Sequence, residues 1–340
     1  MWDLKIKTVV EELLQPSAAL VSEMAALKGD ILILGAGGKI GPSLALLAKQ
    51  AVDRSSVHRK VTGVSRFSEP GLEAQLRKAG IETYAADLLN DAELKALPEA
   101  ENVLYLAGTK FGTTGKEPLT WAMNTYLPGR VAEKYRGARI VMYSTGNVYP
   151  FTNIASGGAD EQTPPAPIGE YGQSCLGRER IFQHFAERYH TPLVIYRLNY
   201  ANDLRYGVLL EIAKAVREEQ AIDLNTGHVN VIWQGDANET ALRALHHAAV
   251  PAKILNVTGP ETVSVRWLAG EFGKIFGVTP LFTGEEQPLA LLSNAAESFR
   301  LFGYPKLPLK RMIGLTAEWL LQNGPTIHKP THFQERRGQF

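Results

Sequence analysis

The sequence predicts an α/β fold: a Rossmann-type, doubly wound parallel sheet with a smaller C-terminal α/β substrate domain. Three observations favour it. Short apolar runs alternate with helical stretches over residues 30–199, the run over residues 31–34 is apolar throughout, and a glycine-rich turn follows that run directly. A continuous apolar run is typical of a strand covered on both faces. Strands separated by helices are joined by right-handed crossovers, which predicts a parallel sheet.

The predicted elements follow the order that such a sheet requires. Residues 8–28 have apolar residues at helical spacing, interrupted at Pro16, and Gly29 ends this helix. Six strands are predicted over residues 31–34, 61–64, 81–85, 102–106, 139–143 and 193–196. The helices between them are predicted over residues 40–51, 72–78, 118–135 and 170–189.

The pattern changes after about residue 199. Further helices are predicted over residues 206–219, 236–248 and from about 264, with strand-like runs over 229–233 and 254–257 and a short strand and two helices within 280–324. We therefore predict four units: an N-terminal helical extension (1–29), a dinucleotide-binding domain (30–199), a substrate-binding domain (200–324) and a C-terminal tail (325–340). The tail is polar and rich in Pro, Arg and Gln, which favours an extended arm.

Composition excludes several classes of protein. The 36 Lys and Arg residues balance 35 Asp and Glu residues, so the net charge of +1 gives no general attraction to nucleic acid or to an anionic membrane. The single cysteine, Cys175, excludes an intrachain disulfide and a cysteine-based zinc site. No apolar run approaches the ~18 residues of a membrane span. The eight histidines form no metal-binding motif, so we expect no catalytic metal. The single cysteine fits a reducing, cytoplasmic setting, and we expect the partner to be a small molecule.

The glycine-rich turn is the strongest single signal. It follows an apolar strand and opens a helix, the context that a dinucleotide-binding turn needs. Its glycines permit a tight turn and close approach of backbone N–H groups to a pyrophosphate, which the helix N-terminus also attracts. The cofactor-binding residues predicted here are Gly35, Gly37, Gly38, Lys39, Ile40 and Gly41.

The GxxGxxG spacing resembles the extended branch of the short-chain dehydrogenase/reductase superfamily, the NAD(P)-dependent epimerase/dehydratase-like proteins. Further segments fall in the family's order. By this resemblance, cofactor contacts are expected where the family contacts adenine, where the cofactor backbone passes, and at the family's helix-breaking Asn. These positions are Asp87 and Leu88, then Ala107 and Gly108, then Asn124.

The resemblance also implies the catalytic residues. Thr145 matches the family's active-site Ser or Thr, which holds the reacting oxygen, and Tyr171 matches the tyrosine that transfers the proton while the nicotinamide transfers hydride. Family members dimerise through the tyrosine helix and the preceding helix, so a homodimer is expected.

The chain departs from the family pattern four residues after Tyr171, where Cys175 stands in place of a lysine. A nearby cation shifts a pKa by ~1–3 units, and a thiol, mostly neutral at its ordinary pKa of ~8.5, cannot replace it. Lys110, in a loop expected to border the nicotinamide, is predicted to take a catalytic role. Arg178, ~10 Å along the helix, is a second cation that could supply a field, but we expect a surface residue paired with Glu179 or Glu218. We expect Cys175 to be a small packing residue near the cofactor.

The end of the second predicted strand bears on the cofactor. An acidic residue there would bind the ribose 2′-OH and repel a 2′-phosphate. The chain has Ser65 and Arg66 instead, and a guanidinium pairs well with a phosphate. We therefore expect a preference for NADP(H), with NAD(H) as the open alternative.

The substrate-side residues favour a small substrate. Gly146 and Asn147 stand where the family's dehydratases carry an Asp-Glu pair, and Val229 stands where nucleotide-sugar members carry a diphosphate-binding Arg. A polyol, sugar or sugar acid is therefore expected. The residues expected to touch the substrate are Asn147, Tyr200 and Trp233, with Tyr206 and His228 as further pocket candidates. Asn199 is expected to touch either the substrate or the carboxamide of the nicotinamide.

Two functions remain open from the sequence. The first is an NAD(P)-dependent oxidoreductase or epimerase-like enzyme that moves a hydride between nicotinamide and a carbinol carbon of a small hydroxylated substrate. The second is a non-catalytic dinucleotide-binding sensor or scaffold that has lost the catalytic lysine. Cys175 favours the second function, whereas Thr145 and Tyr171 favour the first.

Overall fold

The computed structural model describes residues 9, 12–110, 114–327 and 331–339. A seven-stranded, all-parallel sheet forms its centre. The strands are β1 (Ile31–Leu34), β2 (Val61–Ser65), β3 (Glu82–Ala85), β4 (Asn102–Tyr105), β5 (Arg139–Thr145), β6 (Leu193–Leu198) and β7 (Lys253–Val257). Their order across the sheet is β3-β2-β1-β4-β5-β6-β7. This doubly wound sheet confirms the predicted fold class.

Helices cover both faces of the sheet and build the smaller domain. They are α1 (Ala18–Ala26), α2 (Gly41–Arg54), α3 (Leu72–Lys78), α4 (Asp91–Ala96), α5 (Glu117–Trp121), α6 (Leu127–Lys134), α7 (Gly169–Tyr189), α8 (Val208–Arg217), α9 (Gln234–Ala244), α10 (Val265–Phe276), α11 (Ala296–Phe302) and α12 (Leu309–Leu321). A π-helical turn, Ala122–Tyr126, joins α5 to α6, so the chain is helical over the whole of 117–134.

Strand β1 shows why the sheet needs two helical layers. Ile31 and Ile33 pack into a core with α1, α2 and α9, whereas Leu32 and Leu34 pack into a core with α6 and α7. Successive side chains of a strand point to opposite faces, so a strand that is apolar at every position is stable only between two layers.

The chain returns to this sheet after the boundary predicted at residue 199. Strand β7 pairs in parallel with β6, from Lys253 beside Val194 to Val257 beside Leu198, and α9 packs in the same layer as α2. The smaller domain is therefore built from segments on both sides of β7. One helix, α4, escaped the sequence analysis. Its N-terminus is capped by the Asn90 side chain, which accepts from the N–H groups of Ala92 and Glu93.

The described segments nearest the two chain ends, 17–26 and 331–339, pack against the body of the protein. Helix α1 lies on α9, where the Ser17 hydroxyl donates to Glu239 at 2.5 Å and Glu23 pairs with Arg243 at 2.9 Å. The N-terminal part of the helix predicted over 8–28 falls largely outside the described residues. The tail, expected as an extended arm, instead buries Phe333 in the core formed by α8, α10 and α12. In the described parts of the chain, no helix has both the length and the apolar character that crossing a membrane requires.

Candidate active site

The glycine-rich turn between β1 and α2 forms a cradle for an anion. Gly35 has φ +99°, which favours glycine, and a side-chain carbon at Gly37 would lie 2.4 Å from the Ser65 hydroxyl oxygen. No side chain caps the N-terminus of α2, and Pro42 occupies its first turn. The N–H groups of Gly35, Ala36 and Gly38 donate to backbone carbonyls, whereas those at the start of α2 have no side-chain cap and fit the pyrophosphate of a dinucleotide cofactor.

A cavity of about 390 Å³ opens from this turn along the carboxyl ends of the sheet strands. In open α/β sheets, ligands bind at this edge. The cavity brings together many of the predicted site residues. They are Gly35, Gly38, Lys39, Ile40, Gly41, Gly108, Lys110, Thr145, Asn147, Tyr171, Asn199 and Tyr200.

Tyr171 projects from the first turn of α7 into this cavity and is 8% exposed. Its hydroxyl is hydrogen-bonded to Thr145 and to the Cys175 thiol. Burial raises the pKa of Tyr171, the neighbouring Cys175 raises it further, and Arg178 and the Thr145 hydrogen bond act in the opposite direction. The tyrosine is therefore a neutral phenol at neutral pH, a proton donor placed beside the Thr145 hydroxyl.

Cys175 is 1% exposed and lies one helical turn after Tyr171. Burial raises the pKa of its thiol, so the thiol is neutral at neutral pH. A neutral, buried thiol has the character of a small packing residue, as the sequence suggested.

Lys110 reaches the other side of Tyr171. Its Nζ lies 5.6 Å from the centroid of the tyrosine ring, and its side chain lines the cavity. Burial lowers the pKa of Lys110 to about 8, against a partial opposite effect of Cys175 and Glu211. An amine with this pKa exchanges a proton near neutral pH, which an ordinary lysine does not.

The surface position expected for Arg178 is wrong. Arg178 is 6% exposed, and its guanidinium donates to the Asn124 side-chain oxygen at 2.7 Å and to the Tyr143 carbonyl at 2.9 Å. Glu179, its expected partner, is engaged by Arg197 through two hydrogen bonds of 2.9 and 2.6 Å. Helical spacing alone did not show that residues 124 and 143 would enclose this side chain.

Asn124 links Arg178 to the loop that carries Lys110. The Asn124 side chain accepts from the Thr109 N–H at 2.8 Å and donates to the Thr109 carbonyl at 2.9 Å. It also donates to the Ser174 hydroxyl at 3.0 Å. Asn124 lies in the π-helical turn, and turns of this kind are frequent at functional sites. The predicted Asn124 therefore holds the backbone next to Lys110.

The remaining predicted cofactor residues lie further along the same sheet edge. Arg66 is exposed directly after β2, and Leu88 and Ala107 are buried. Asp87 accepts from the Leu89 N–H at 3.0 Å, which leaves its second carboxylate oxygen available. A side-chain carbon at Gly108 would lie 2.3 Å from an Arg178 nitrogen, so a larger residue at this position would have to displace the Arg178 guanidinium.

The substrate-side predictions divide. Asn147, Asn199, Tyr200 and Tyr206 line the cavity. Trp233 does not, and its assignment to the substrate is corrected: the ring is buried in the core of the smaller domain, because it ends a short strand that faces that core. His228 and Val229 form another short strand and do not line the cavity either.

Sequence analysis missed two residues that line the cavity and belong to distant parts of the chain. Thr331 comes from the tail and Val208 opens α8. It also missed where the Lys39 side chain points: its Nζ lies 4.9 Å from the centroid of the Tyr206 ring. No local motif identifies such contacts, since they depend on the packing of the tail and of the smaller domain.

Comparison with known proteins agrees with this geometry. Residues 31–204 match the model of the NAD dependent epimerase/dehydratase family. The chain belongs to this family. No curated protein sequence matches it.

Solved structures share the fold of this family member. UDP-glucuronic acid 4-epimerase from Bacillus cereus, in complex with UDP-glucuronic acid and NAD, aligns with a TM-score of 0.70 at 20% identity, covering 86% of this chain and 99% of that chain. UDP-glucose 4-epimerase from Thermotoga maritima, with UDP-glucose, aligns with a TM-score of 0.71 at 17% identity and the same coverage. Among the residues that our structure describes, no group of three or more His, Cys, Asp or Glu side chains is arranged to hold a metal ion.

Proposed function

We propose that the protein is an NAD(P)-dependent oxidoreductase or epimerase acting on a carbinol carbon of a small hydroxylated substrate. The observation that carries this proposal is the meeting of Tyr171, Thr145 and Lys110 in one cavity with the glycine-rich turn. The bound cofactor would supply hydride chemistry at its nicotinamide. It would be held by the turn, by Ser65 and Arg66, and by the backbone at Gly108.

The chain's own residues would handle the proton. Thr145 would orient the reacting oxygen, and Tyr171 would give its hydroxyl proton to that oxygen or take it back. Lys110 and Arg178 would together provide the positive field that the family places at position 175. Lys110, with its pKa of about 8, could also exchange the proton with Tyr171, whereas a guanidinium stays charged.

The substitution Tyr171→Phe tests this mechanism. Loss of a general acid–base group reduces turnover by about 10²–10⁴-fold. We expect that loss without a change in the dissociation constant of NADPH. Tyr304→Phe, at a residue 72% exposed after α11, is the matched control. Full turnover by Tyr171→Phe would exclude the mechanism.

We also propose that NADP(H) is preferred over NAD(H), because no acidic residue follows β2 and Arg66 is exposed there. Titration followed by nicotinamide fluorescence should show weaker NADPH binding in Arg66→Ala and little change with NADH. Arg266→Ala, at an exposed arginine of α10, serves as the control. Equal NADPH affinity in both variants would contradict the preference.

A homodimer is part of the proposal. Leu119, Trp121 and Tyr126 are large apolar residues exposed on the helical segment beside α7. We expect light scattering in a reducing buffer to give twice the mass of one chain. The substitution Tyr126→Arg should shift the protein towards the monomer. An unchanged mass in that variant would remove this surface from consideration.

The second candidate function is a non-catalytic NAD(P)-binding sensor or scaffold. The neutral, buried thiol of Cys175 favours it, since a thiol supplies no positive charge. If the wild type has no turnover and Cys175→Lys creates it, this second function is the correct one. For the enzyme, Cys175→Lys should lower stability, because the new ammonium would be buried beside the Arg178 guanidinium.

A further inference from the structure

The C-terminal segment 331–339 begins at the cavity. Thr331 lines the cavity, and both of its donors bind the Glu211 carboxylate in α8, with the hydroxyl at 2.8 Å from Oε2. The Thr331 hydroxyl also accepts from the Phe333 N–H at 3.2 Å. These bonds attach the beginning of the segment to the smaller domain.

The middle of the segment is held by side-chain and backbone contacts. The Phe333 ring is 3% exposed in the core of the smaller domain, and its carbonyl accepts from the Tyr200 hydroxyl at 3.4 Å. The next carbonyl, of Gln334, accepts from the Thr226 hydroxyl at 3.4 Å. The segment therefore runs along the substrate side of the smaller domain.

The end of the segment crosses to the catalytic helix. Arg336 donates to the carbonyls of Asn225 at 3.0 Å and Leu289 at 2.9 Å, and its guanidinium carbon lies 4.4 Å from the centroid of the Phe151 ring. A side-chain carbon at Gly169 would lie 2.4 Å from the Gly338 carbonyl oxygen, so the backbones are in contact. Gly169 is the first residue of α7, two positions before Tyr171. The segment thus spans the cleft from α8 to α7.

This span limits the room for a substrate. The cavity of about 390 Å³ is near the lower end of the ~300–1,000 Å³ of small-molecule sites, and it must also receive the nicotinamide end of the cofactor. A nucleoside diphosphate attached to the reacting sugar would have to leave the cavity between α7 and the smaller domain. The segment, which runs from Glu211 of α8 to Gly169 of α7, crosses that gap.

We infer that residues 331–339 are the distal wall of the substrate site and restrict it to substrates without a nucleotide, that is, to free sugars, polyols or sugar acids. The inference rests on the proposed function and narrows its substrate class. It separates this chain from the solved relatives crystallised with UDP-glucose and UDP-glucuronic acid.

Calorimetric titration of the NADPH-loaded full chain with UDP-glucose tests the inference. We expect a dissociation constant weaker than about 1 mM for the wild type. The double substitution Arg336→Ala and Gly338→Val should bind UDP-glucose at least about tenfold tighter, because a side chain at Gly338 meets the Ile168 carbonyl oxygen at 2.5 Å and displaces the end of the segment. Neither substitution changes Phe333, whose ring attaches the segment to the core of the smaller domain.

A matched control separates displacement from general damage. Arg266 lies over Phe282 at 4.7 Å much as Arg336 lies over Phe151, and Gly277 has φ +71° with no neighbouring atom within 4 Å of an added side-chain carbon. The double variant Arg266→Ala and Gly277→Val should bind UDP-glucose as weakly as the wild type.

Two results would overturn the inference: binding of UDP-glucose to the wild type tighter than 1 mM, or equal affinity in the wild type and the Arg336/Gly338 variant. Neither result touches the proposed function, which fails only if NADPH does not bind or if Tyr171→Phe retains turnover.

Discussion

Two adjacent residues of α7, Arg178 and Glu179, bury opposite charges in different ways. The Glu179 carboxylate has a charged partner: Arg197 binds it through two hydrogen bonds, and the Ser144 hydroxyl donates to it at 2.5 Å. Arg178 donates only to neutral oxygens, those of Asn124 and Tyr143. A buried charge with a charged partner mainly maintains the structure, whereas one with neutral partners keeps its field for its surroundings. For Arg178 those surroundings include Tyr171.

The largest effect is expected for Glu179→Ala. Removing one partner of a buried ion pair leaves the other charge uncompensated and costs about 3–5 kcal/mol. The free energy of unfolding should fall by that amount in denaturant titration. Glu187→Ala, at an exposed glutamate of the same helix, should leave it nearly unchanged. A loss below ~1 kcal/mol would mean that the Glu179–Arg197 ion pair does not maintain the structure.

Arg178→Met should reduce kcat/KM more strongly than Glu179→Ala, relative to the stability that each variant loses. Removal of this cation should raise the pKa of Tyr171, and we expect a fall in kcat/KM of about 10–100-fold. The unsatisfied Tyr143 carbonyl should cost about 1–3 kcal/mol of stability. Arg178→Lys should recover part of kcat/KM. If both variants lose stability but keep kcat/KM, the field of Arg178 has no role in catalysis.

Lys110→Gln should reduce kcat/KM by about tenfold and change its pH dependence. The pKa of Lys110 is about 8, so its ammonium is present below that pH and is lost above it. The wild-type rate should therefore decline as the pH rises through about 8. Lys110→Arg should remain charged and show no decline there, and Lys110→Gln should be flat. A decline near pH 8 that persists in Lys110→Gln would assign it to another group.

Cys175→Ala should have the smallest effect, less than about threefold in kcat/KM, because a neutral thiol supplies none of the positive charge that lowers the pKa of Tyr171. The loss of its packing should lower stability by no more than ~1 kcal/mol. Steady-state kinetics and denaturant titration would check both values. A hundredfold loss of kcat/KM would instead give the thiol a direct part in the chemistry.

Local patterns were sufficient for much of the fold. Residues next to each other in the chain define the strands predicted over 31–34, 61–64 and 102–106, and the structure has a strand at each of these places. The glycine-rich turn after the first strand is defined in the same local way. The position of Tyr171 beside Thr145 followed from the family pattern in the same way.

Contacts between distant segments were beyond such patterns. The burial of Arg178 depends on Asn124 and Tyr143, which reach it from different elements. Trp233 had the side-chain chemistry of a sugar-binding residue, but the direction of a two-residue strand decides where it points. The polar composition of the tail suggested an extended arm, yet Phe333 packs into the core of the smaller domain.

The position of β7 at the edge of the sheet has a consequence for the order of synthesis. Between the end of β6 at Leu198 and the start of β7 at Lys253 the chain leaves the sheet and builds α8 and α9. On the ribosome, strands β1–β6 emerge first and wait with the outer side of β6 unpaired until Val257 has been made. An unpaired strand edge invites association with other chains. The nascent chain is therefore most prone to aggregate while the residues between β6 and the end of β7 are being made, before β7 covers the outer side of β6.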